Sequence, residues 1–228
     1  MMLLAIDTAT PSTVVALRSP EGEVTEARDD PEAGARPAHT GALLVLAQSL
    51  LRDAGRTWPD LDRIAVGLGP GGFTGLRIGI STARALAQAH GAAIVGVSSL
   101  RALALGAGPV AGGRPVLAAI DARRGEAFAA CWSGDGELLI APAAYGPAAL
   151  AGVLGVLGAA PLAVGDGALR FAAELRAVGV ETLPAQSSLH AISGAALCRL
   201  GVDAGPLERE RVLPDYRREP DAKPPRTP

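Results

Sequence analysis

Two turns in the sequence place a carboxylate where a strand is expected to end, a position that suits binding of a metal-bound phosphate. Asp7 follows the apolar run Leu3-Leu-Ala-Ile6 and opens a hydroxyl-rich turn, in which Ala9 stands where a glycine would let the backbone approach a phosphate. Asp121 follows an apolar run in the same way. Either carboxylate could equally cap its own turn in solvent, so the sequence leaves both roles open.

The glycine-rich stretch from Gly67 to Gly79 is a further candidate site. It lies between a strand expected over residues 63–68 and a helix expected over 74–90. With Thr74 as the N-cap, the helix would begin with free N–H groups that could hold an anion, although a tight strand-to-helix turn explains the glycines equally well. The two turns and this loop together give the candidate nucleotide- or anion-binding residues, which are Asp7, Thr8, Thr10, Gly71, Gly72, Thr74 and Asp121.

The helix after this loop carries small residues at every fourth position, from Gly75 to Ala87. Small side chains let two helices approach closely, so this stripe could meet a second chain or lie on the protein's own sheet. The preceding helix, expected over residues 38–54, is apolar over more than one stripe, which favours a covered surface. The candidates for a partner interface are Leu43, Leu46, Ala47, Leu50, Gly75, Leu76, Gly79, Ile80, Ala83 and Ala87.

No group of residues has the spacing of a catalytic or metal site. His39, His90 and His190 are scattered without an HxxxH or HxxEH pattern, and no GxSxG elbow occurs. Arg123 and Arg124 could hold an anion, but surface arginines are the simpler interpretation. The sequence therefore predicts no catalytic residue and no metal site.

Composition narrows the class of protein. Of the 228 residues 49% are hydrophobic and 19% charged, with a net charge of −2, so a large aliphatic core is expected and a basic nucleic-acid-binding face is not. Any contact with RNA would then be made through a partner. The first residues lack a basic segment before Asp7 interrupts the apolar run, and no apolar stretch is long enough to span a membrane. Cys131 and Cys198 carry no motif and are expected to be reduced core residues. We expect a cytoplasmic protein.

The order of predicted elements indicates two similar halves. Each begins with three strands in a meander, the first ending in an acidic turn, and continues with helices and a further strand that ends in a glycine turn. This order is typical of the actin, Hsp70 and sugar-kinase architecture, an α/β fold of the ASKHA (ribonuclease H-like) class with a ligand cleft between the halves. We place the first half, with its dimerisation helices, at residues 1–107 and the second at 108–207. Residues 208–228, rich in proline and charge, are expected to be extended or disordered.

Several segments, taken in order, resemble the bacterial TsaB (YeaZ) family. The most specific is Gly69-Pro-Gly-Gly-Phe-Thr-Gly-Leu-Arg-Ile-Gly79. The others are more modest and span nearly the whole chain: Leu4-Ala-Ile-Asp-Thr-Ala-Thr10, His39-Thr40, Gly96-Val-Ser-Ser-Leu100, Asp121-Ala-Arg-Arg-Gly-Glu126, Gly165-Asp-Gly167 and Pro214-Asp-Tyr-Arg217. Part of the match is shared with the paralogous TsaD/Kae1/Qri7 family.

The resemblance implies a role in making N6-threonylcarbamoyladenosine at position 37 of ANN-decoding tRNAs. It implies a heterodimer with a TsaD transferase through helices of the first half and a TsaE-like ATPase in the same machinery. From the apolar patch on these helices we also expect a homodimer when the chain is isolated. The paralogue's histidine metal motif is missing at His39-Thr40, where Leu43 follows, which argues against catalysis here. No cofactor is expected for the chain alone, whereas ATP or ADP could bind at the complex interface. A small-molecule kinase or ATPase of the same fold and a glycoprotease-like metallopeptidase stay open as alternatives.

Overall fold

The first half of the molecule is a five-stranded mixed sheet in the order β3-β2-β1-β4-β5, as seen in a computed structural model that describes residues 1–32 and 34–218. Strands β1, β2 and β3 form the predicted antiparallel meander, and β4 and β5 extend it in parallel. The strands are Leu3–Asp7 (β1), Thr13–Arg18 (β2), Val24–Asp29 (β3), Arg63–Gly67 (β4) and Ala93–Val97 (β5), and the helices are His39–Asp53 (α1), Phe73–His90 (α2) and Ser99–Ala111 (α3).

The second half repeats this arrangement. Its sheet has the order β10-β9-β6-β7-β8, with an antiparallel β6-β7-β8 meander and parallel pairs on the other side. The strands are Val116–Arg123 (β6), Glu126–Trp132 (β7), Leu138–Tyr145 (β8), Leu162–Val164 (β9) and Glu181–Thr182 (β10), and the helices are Pro147–Leu154 (α4), Asp166–Arg170 (α5), Ala172–Ala177 (α6) and Gly194–Asp203 (α7). The predicted duplication of strands and helices is confirmed.

Successive side chains of β1 point to opposite faces of the sheet and therefore pack in two different hydrophobic cores. Leu4 and Ile6 face helices α1 and α2 on the outer side of the first sheet. Leu3 and Ala5 face a central core that also contains residues of α3, α7 and the second sheet. Helices α4 to α6 cover the remaining face of the second sheet. Because α3 and α7 lie in the core shared by both sheets, the two halves are packed on one another.

Three local expectations need correction. Helix α2 begins at Phe73 with Gly72 as its N-cap in an extended conformation, so Thr74 lies inside the first turn and caps nothing. Residues 168–177 form two short helices with a break at Phe171, because the backbone there leaves helical geometry. The last predicted helix, 187–200, is a 3-10 turn at Ser188–His190 followed by α7, which Ser193 caps.

The Gly/Pro-rich junction between the halves is helical rather than a loop. Helix α3 continues through Pro109, because Ala107 and Ala111 are buried in the shared core, and it ends only at Gly112 and Gly113 in the left-handed conformation. The predicted division at 107/108 therefore falls inside a helix, and the chain enters the second half after it.

Residues 208–218 of the tail that was predicted to be extended or disordered contact the protein at Val212 and Asp215. A 3-10 turn at Arg209–Arg211 leads to Val212, which is fully buried in the outer core of the first half. The backbone N–H of Asp215 then donates to the carbonyl of Leu68. The remainder of the predicted tail, residues 219–228, lies outside the described residues.

Candidate functional site

A cleft of about 950 Å³ lies between the two halves. The turn after β1 and the first turn of α2 form its wall in the first half. The β6–β7 turn and Asp166 form the opposite wall, and residues 215–218 run along the mouth. Clefts of this size at the ends of parallel strands are usual places for small ligands.

Six of the seven predicted anion-binding residues line this cleft, namely Thr8, Thr10, Gly71, Gly72, Thr74 and Asp121. Residues that are more than a hundred positions apart in the chain are thus brought to one place. The exception is Asp7, which does not line the cleft in this structure. Ligand binding by the other six stays a prediction.

Asp7 is sealed beneath the loops that surround it, with only 1% of its surface exposed. Its Oδ1 accepts the N–H of Ala9 at 2.8 Å, and its Oδ2 accepts the hydroxyl of Ser99 at 2.6 Å. A Cβ atom at Gly67 would collide with Oδ2, so glycine is required there for the carboxylate to fit. Burial raises the pKa of Asp7 to about 6, against the opposing effect of these two hydrogen bonds.

The glycines of the loop and of α2 serve a close contact with the turn after β1. The hydroxyl of Thr8 donates to the carbonyl of Gly75 at 2.8 Å. A Cβ atom at Gly75 would collide with the Thr8 carbonyl, and one at Gly79 with the Thr8 hydroxyl. The helix therefore passes directly over β1 because these positions carry no side chain.

The same packing decides where the residues of the predicted partner interface lie in the single chain. All ten predicted residues except the half-buried Leu46 are buried inside the chain: Leu43, Ala47, Leu50, Gly75, Leu76, Gly79, Ile80, Ala83 and Ala87. They pack within the protein itself, which was the alternative left open for the stripe, and their use by a second chain stays a prediction. The large apolar side chains that these two helices leave exposed are instead Leu44, Val45 and Phe73.

The opposite wall holds a carboxylate pair. Asp121 Oδ1 accepts the guanidinium of Arg170 and the N–H of Arg123, each at 2.8 Å. Asp166 Oδ1 accepts the N–H of Asp121 at 2.9 Å, and burial raises the pKa of Asp166. Arg123 and Arg124 adopt the left-handed conformation at φ of 63° and 51°, an unfavourable geometry for non-glycine residues. The turn thus keeps Asp121 at the cleft edge but already paired.

The segment at the cleft mouth ties the two walls together. The ring of Tyr216 stacks on Phe73 with centroids 5.4 Å apart, and its hydroxyl accepts Arg77 Nε at 3.1 Å. Two residues later Arg218 donates to the carbonyl of Ala122 at 3.0 Å and pairs with Glu126 of the second half. The sequence of this segment does not predict these contacts, because the residues that it meets are distant in the chain.

His39 is a cleft residue whose role the sequence did not predict. It is only 5% exposed, and its Nδ1 lies 2.9 Å from the hydroxyl of Thr13. Its Nε2 lies beside the first turn of α2, close enough that a Cβ at Gly75 would be 3.1 Å away. Burial lowers the pKa of His39, partly offset by the nearby Asp29. The one feature of the sequence that could have drawn attention to His39 is its position at the start of an apolar helix.

The other two histidines lie in separate places with partners of their own. His90 stacks on Trp58 at a centroid distance of 5.9 Å, and His190 Nδ1 accepts the N–H of Gly165 at 3.0 Å. Within residues 1–32 and 34–218, no three His, Cys, Asp or Glu side chains come together as metal ligands would. Nor does any helix in those ranges have the length and apolar character to cross a membrane. Cys131 and Cys198 are free and buried, as predicted.

Comparison with known sequences points to one group of proteins. The family model described as "TsaD: tRNA N6-adenosine threonylcarbamoyltransferase" matches residues 30–158. The chain is 42% identical over 135 residues to the tRNA threonylcarbamoyladenosine biosynthesis protein TsaB of Escherichia coli strain K12, an alignment that covers 59% of this chain and 56% of that protein. For the Haemophilus influenzae protein of the same name, identity is 35% over 128 residues. The aligned part thus spans about half the length of these curated relatives.

Solved structures extend the likeness over nearly the whole chain. YeaZ from Pseudomonas aeruginosa superposes with a TM-score of 0.77 and 30% identity, covering 94% of this chain and 99% of that one. The ethanolamine utilization protein EutJ from Carboxydothermus hydrogenoformans, at 17% identity and a TM-score of 0.50, shares the fold alone. The predicted actin-like α/β fold with two duplicated halves is confirmed.

Proposed function

The chain belongs to the TsaB (YeaZ) family, which is related to the TsaD family, and from this premise we propose that it is a non-catalytic subunit of the tRNA-modifying machinery. That machinery would install N6-threonylcarbamoyl on adenosine 37 of ANN-decoding tRNAs. The chain would partner a TsaD-like transferase, work with a TsaE-like ATPase, and contact tRNA only indirectly.

The sealed position of Asp7 is the observation that carries the non-catalytic assignment. A carboxylate that holds a metal-bound phosphate must present a free oxygen to the cleft. Both oxygens of Asp7 are instead occupied by Ala9 and Ser99, and the side chain does not line the cleft. The strand-end carboxylate of the first half therefore supports the loops rather than a reaction.

The partner surface is proposed on the outer faces of α1 and α2. Leu44 and Val45 are adjacent on α1, and Val45 is 66% exposed. Helices α1 and α2 lie side by side on the same face of the first sheet, and their inner faces are already buried. An outer face with large uncovered apolar side chains suits a partner built on the same fold.

Co-purification with a TsaD-like transferase tests this proposal. Val45→Glu would place a charge in the contact, and we expect it to abolish the complex while leaving the thermal unfolding of the isolated chain unchanged. The matched control is Val156→Glu, since Val156 is 84% exposed but lies in the second half, after α4. Nucleoside analysis of tRNA from cells that depend on the variant should show loss of threonylcarbamoyladenosine for Val45→Glu alone.

Two results would contradict the proposal. One is a complex that forms normally with Val45→Glu. The other is full modification of tRNA in cells that lack the chain entirely. If the isolated chain also forms a homodimer, Val45→Glu distinguishes whether it uses the same surface, because sedimentation would then show the variant as a monomer.

A small-molecule kinase or ATPase is the second candidate, favoured by the cleft between the halves. Its volume and its place at the strand ends suit a nucleotide-sized ligand. Calorimetry with Mg·ATP on the isolated chain, followed by a phosphate-release assay, separates the two functions. The accessory role predicts no turnover, and steady ATP hydrolysis by the pure chain would favour the enzyme.

A further inference from the structure

The first turn of α2 presents three backbone N–H groups that lack a protein acceptor. Gly72 is the N-cap, no side chain caps the helix, and no acidic residue lies in its first turn. The N–H of Gly72 is used by the carbonyl of Ala9, and that of Leu76 by the carbonyl of Gly72. Between them, the N–H groups of Phe73, Thr74 and Gly75 meet no acceptor in the described part of the chain. An 18-residue helix also directs its positive dipole end to this point.

His39 supplies a second and independent donor beside this turn. It is 95% buried, and Thr13 engages its Nδ1, whereas Nε2 has no hydrogen-bond partner among the residues described. Nε2 borders Gly75 in the first turn of α2 and faces the cleft. When the Thr13 hydroxyl donates to Nδ1, Nε2 carries a proton and becomes a donor. A buried imidazole with one nitrogen held and the other free is arranged to receive a ligand atom.

The charges around this place favour a negative ligand. Arg36 lines the same cleft wall and forms no ion pair with any described residue. Two of the cleft carboxylates already have cationic partners, since Asp121 pairs with Arg170 and Asp215 with Arg217 at 2.7 Å, and the third, Asp166, accepts the backbone N–H of Asp121. The nearby Asp29 raises the pKa of His39 and so favours the protonated imidazole, as a bound anion in the cleft would.

We propose that His39 Nε2 and the N–H groups of Phe73, Thr74 and Gly75 form an oxyanion-binding site in the cleft, with Arg36 as a supporting charge. The ligand is a phosphate or carboxylate group, on a free anion or at the end of a larger metabolite. The site uses donors of the first half alone and does not involve Asp7. It stands independently of the proposed tRNA-modifying role, because it concerns the isolated chain.

Imidazole NMR on the isolated, full-length chain provides the test. The chain has only three histidines, so the ring ¹⁵N signals of His39, His90 and His190 can be followed together. We expect inorganic phosphate, acetate or both to shift the His39 signal and the Thr74 and Gly75 amide signals saturably, with a dissociation constant of roughly millimolar. His90, on the Trp58 stack, should not respond. If only phosphate gives a saturable shift, the ligand is a phosphate group, and if only acetate does, it is a carboxylate.

A pair of glutamate substitutions on α2 separates the site from general electrostatics. Thr74 is exposed in the first turn, so Thr74→Glu supplies a carboxylate that competes for the same N–H groups. We expect anion binding to weaken about tenfold or more. Ser81→Glu adds the same charge farther along the helix, at another exposed position, and should leave binding nearly unchanged.

His39→Gln removes the imidazole donor and should weaken the phosphate response of the Thr74 amide by about tenfold. Because His39 is buried against Thr13, this variant could lose stability, whereas the exposed Thr74→Glu decides the question without that risk. The proposal is overturned if sodium chloride at equal ionic strength reproduces the shifts. It is also overturned if neither anion perturbs His39, or if Thr74→Glu and Ser81→Glu behave alike.

Discussion

The two halves end their first strands in the same residue type, yet the two carboxylates lie in opposite environments. Asp7 at the end of β1 is sealed and has no contact with the cleft. Asp121, near the end of β6, lines the cleft and pairs with Arg170. An acidic residue at a strand end is therefore a weak guide to function unless its neighbours are known.

The difference arises from the neighbouring parallel strand in each sheet. In the first half β4 ends in Gly67, whose missing side chain leaves room for Asp7 to lie over it and reach Ser99. In the second half β9 is followed by Asp166, which accepts the backbone N–H of Asp121. The Asp121 side chain is then turned towards Arg170 and the cleft.

The largest expected effect comes from closing the space over Asp7. Gly67→Ala brings a methyl group into collision with Asp7 Oδ2 and close to Ser99 Oγ in a fully packed region. We expect a loss of about 3 kcal/mol in the free energy of unfolding, measured by urea denaturation. Gly146→Ala is the matched control, because its φ is −72° and no atom lies within 4 Å of the added methyl. If Gly67→Ala is as stable as this control, Asp7 is not sealed.

The sequence predicted the sheets well because hydrophobic periodicity and turn chemistry are local properties. The sequence alone places the strand pattern of β1 to β3, the glycine turn before α2 and the acidic turns at Asp7 and Asp121. The repetition of this order in both halves also predicted the two-half α/β architecture and the cleft between the halves.

The sequence could not show which surface each residue meets. Gly75 and Gly79 have the spacing of a helix–helix contact, but their neighbour is Thr8, which is distant in the chain. The free Nε2 of His39 is equally invisible, because it depends on Thr13 and on the start of α2. The burial of Asp7 is invisible for the same reason, since Ser99 covers it only in the folded chain.

The next effect concerns the protonation of Asp7, whose pKa is raised from 3.8 to about 6. Between these values the folded state keeps a proton that the unfolded state has lost, so stability falls as the pH rises. Each unit of pKa difference is worth about 1.4 kcal/mol, and since the unfolded state is already partly ionised at pH 4, the expected loss of stability from pH 4 to pH 7 is about 2.5 kcal/mol. Asp7→Asn cannot ionise and keeps an acceptor for Ala9, so it should gain about 2 kcal/mol relative to the wild type at pH 7.

Unfolding free energies of both proteins at several pH values between 4 and 7.5 would measure this effect. The two curves should converge at the acidic end and separate towards neutral pH. A constant difference between them would mean that Asp7 is ionised in both folded and unfolded states. In that case the contrast with the second half would rest on packing alone.

The smallest effect is expected at the opposite wall, for the ion pair between Asp121 and Arg170. Their distance of 2.8 Å is short, but the Arg170 side chain is 41% exposed and that of Asp121 is 15% exposed. Solvent screens such a pair, and Arg123 lies 3.6 Å from the other oxygen of Asp121 and can replace the lost charge. A double-mutant cycle with Asp121→Asn and Arg170→Gln should therefore give a coupling energy of about 0.5 kcal/mol, reduced further by added salt.

A coupling of about 2 kcal/mol or more would mean that the second carboxylate is held as firmly as the first. The two halves would then differ only in which side of the cleft is open to ligand.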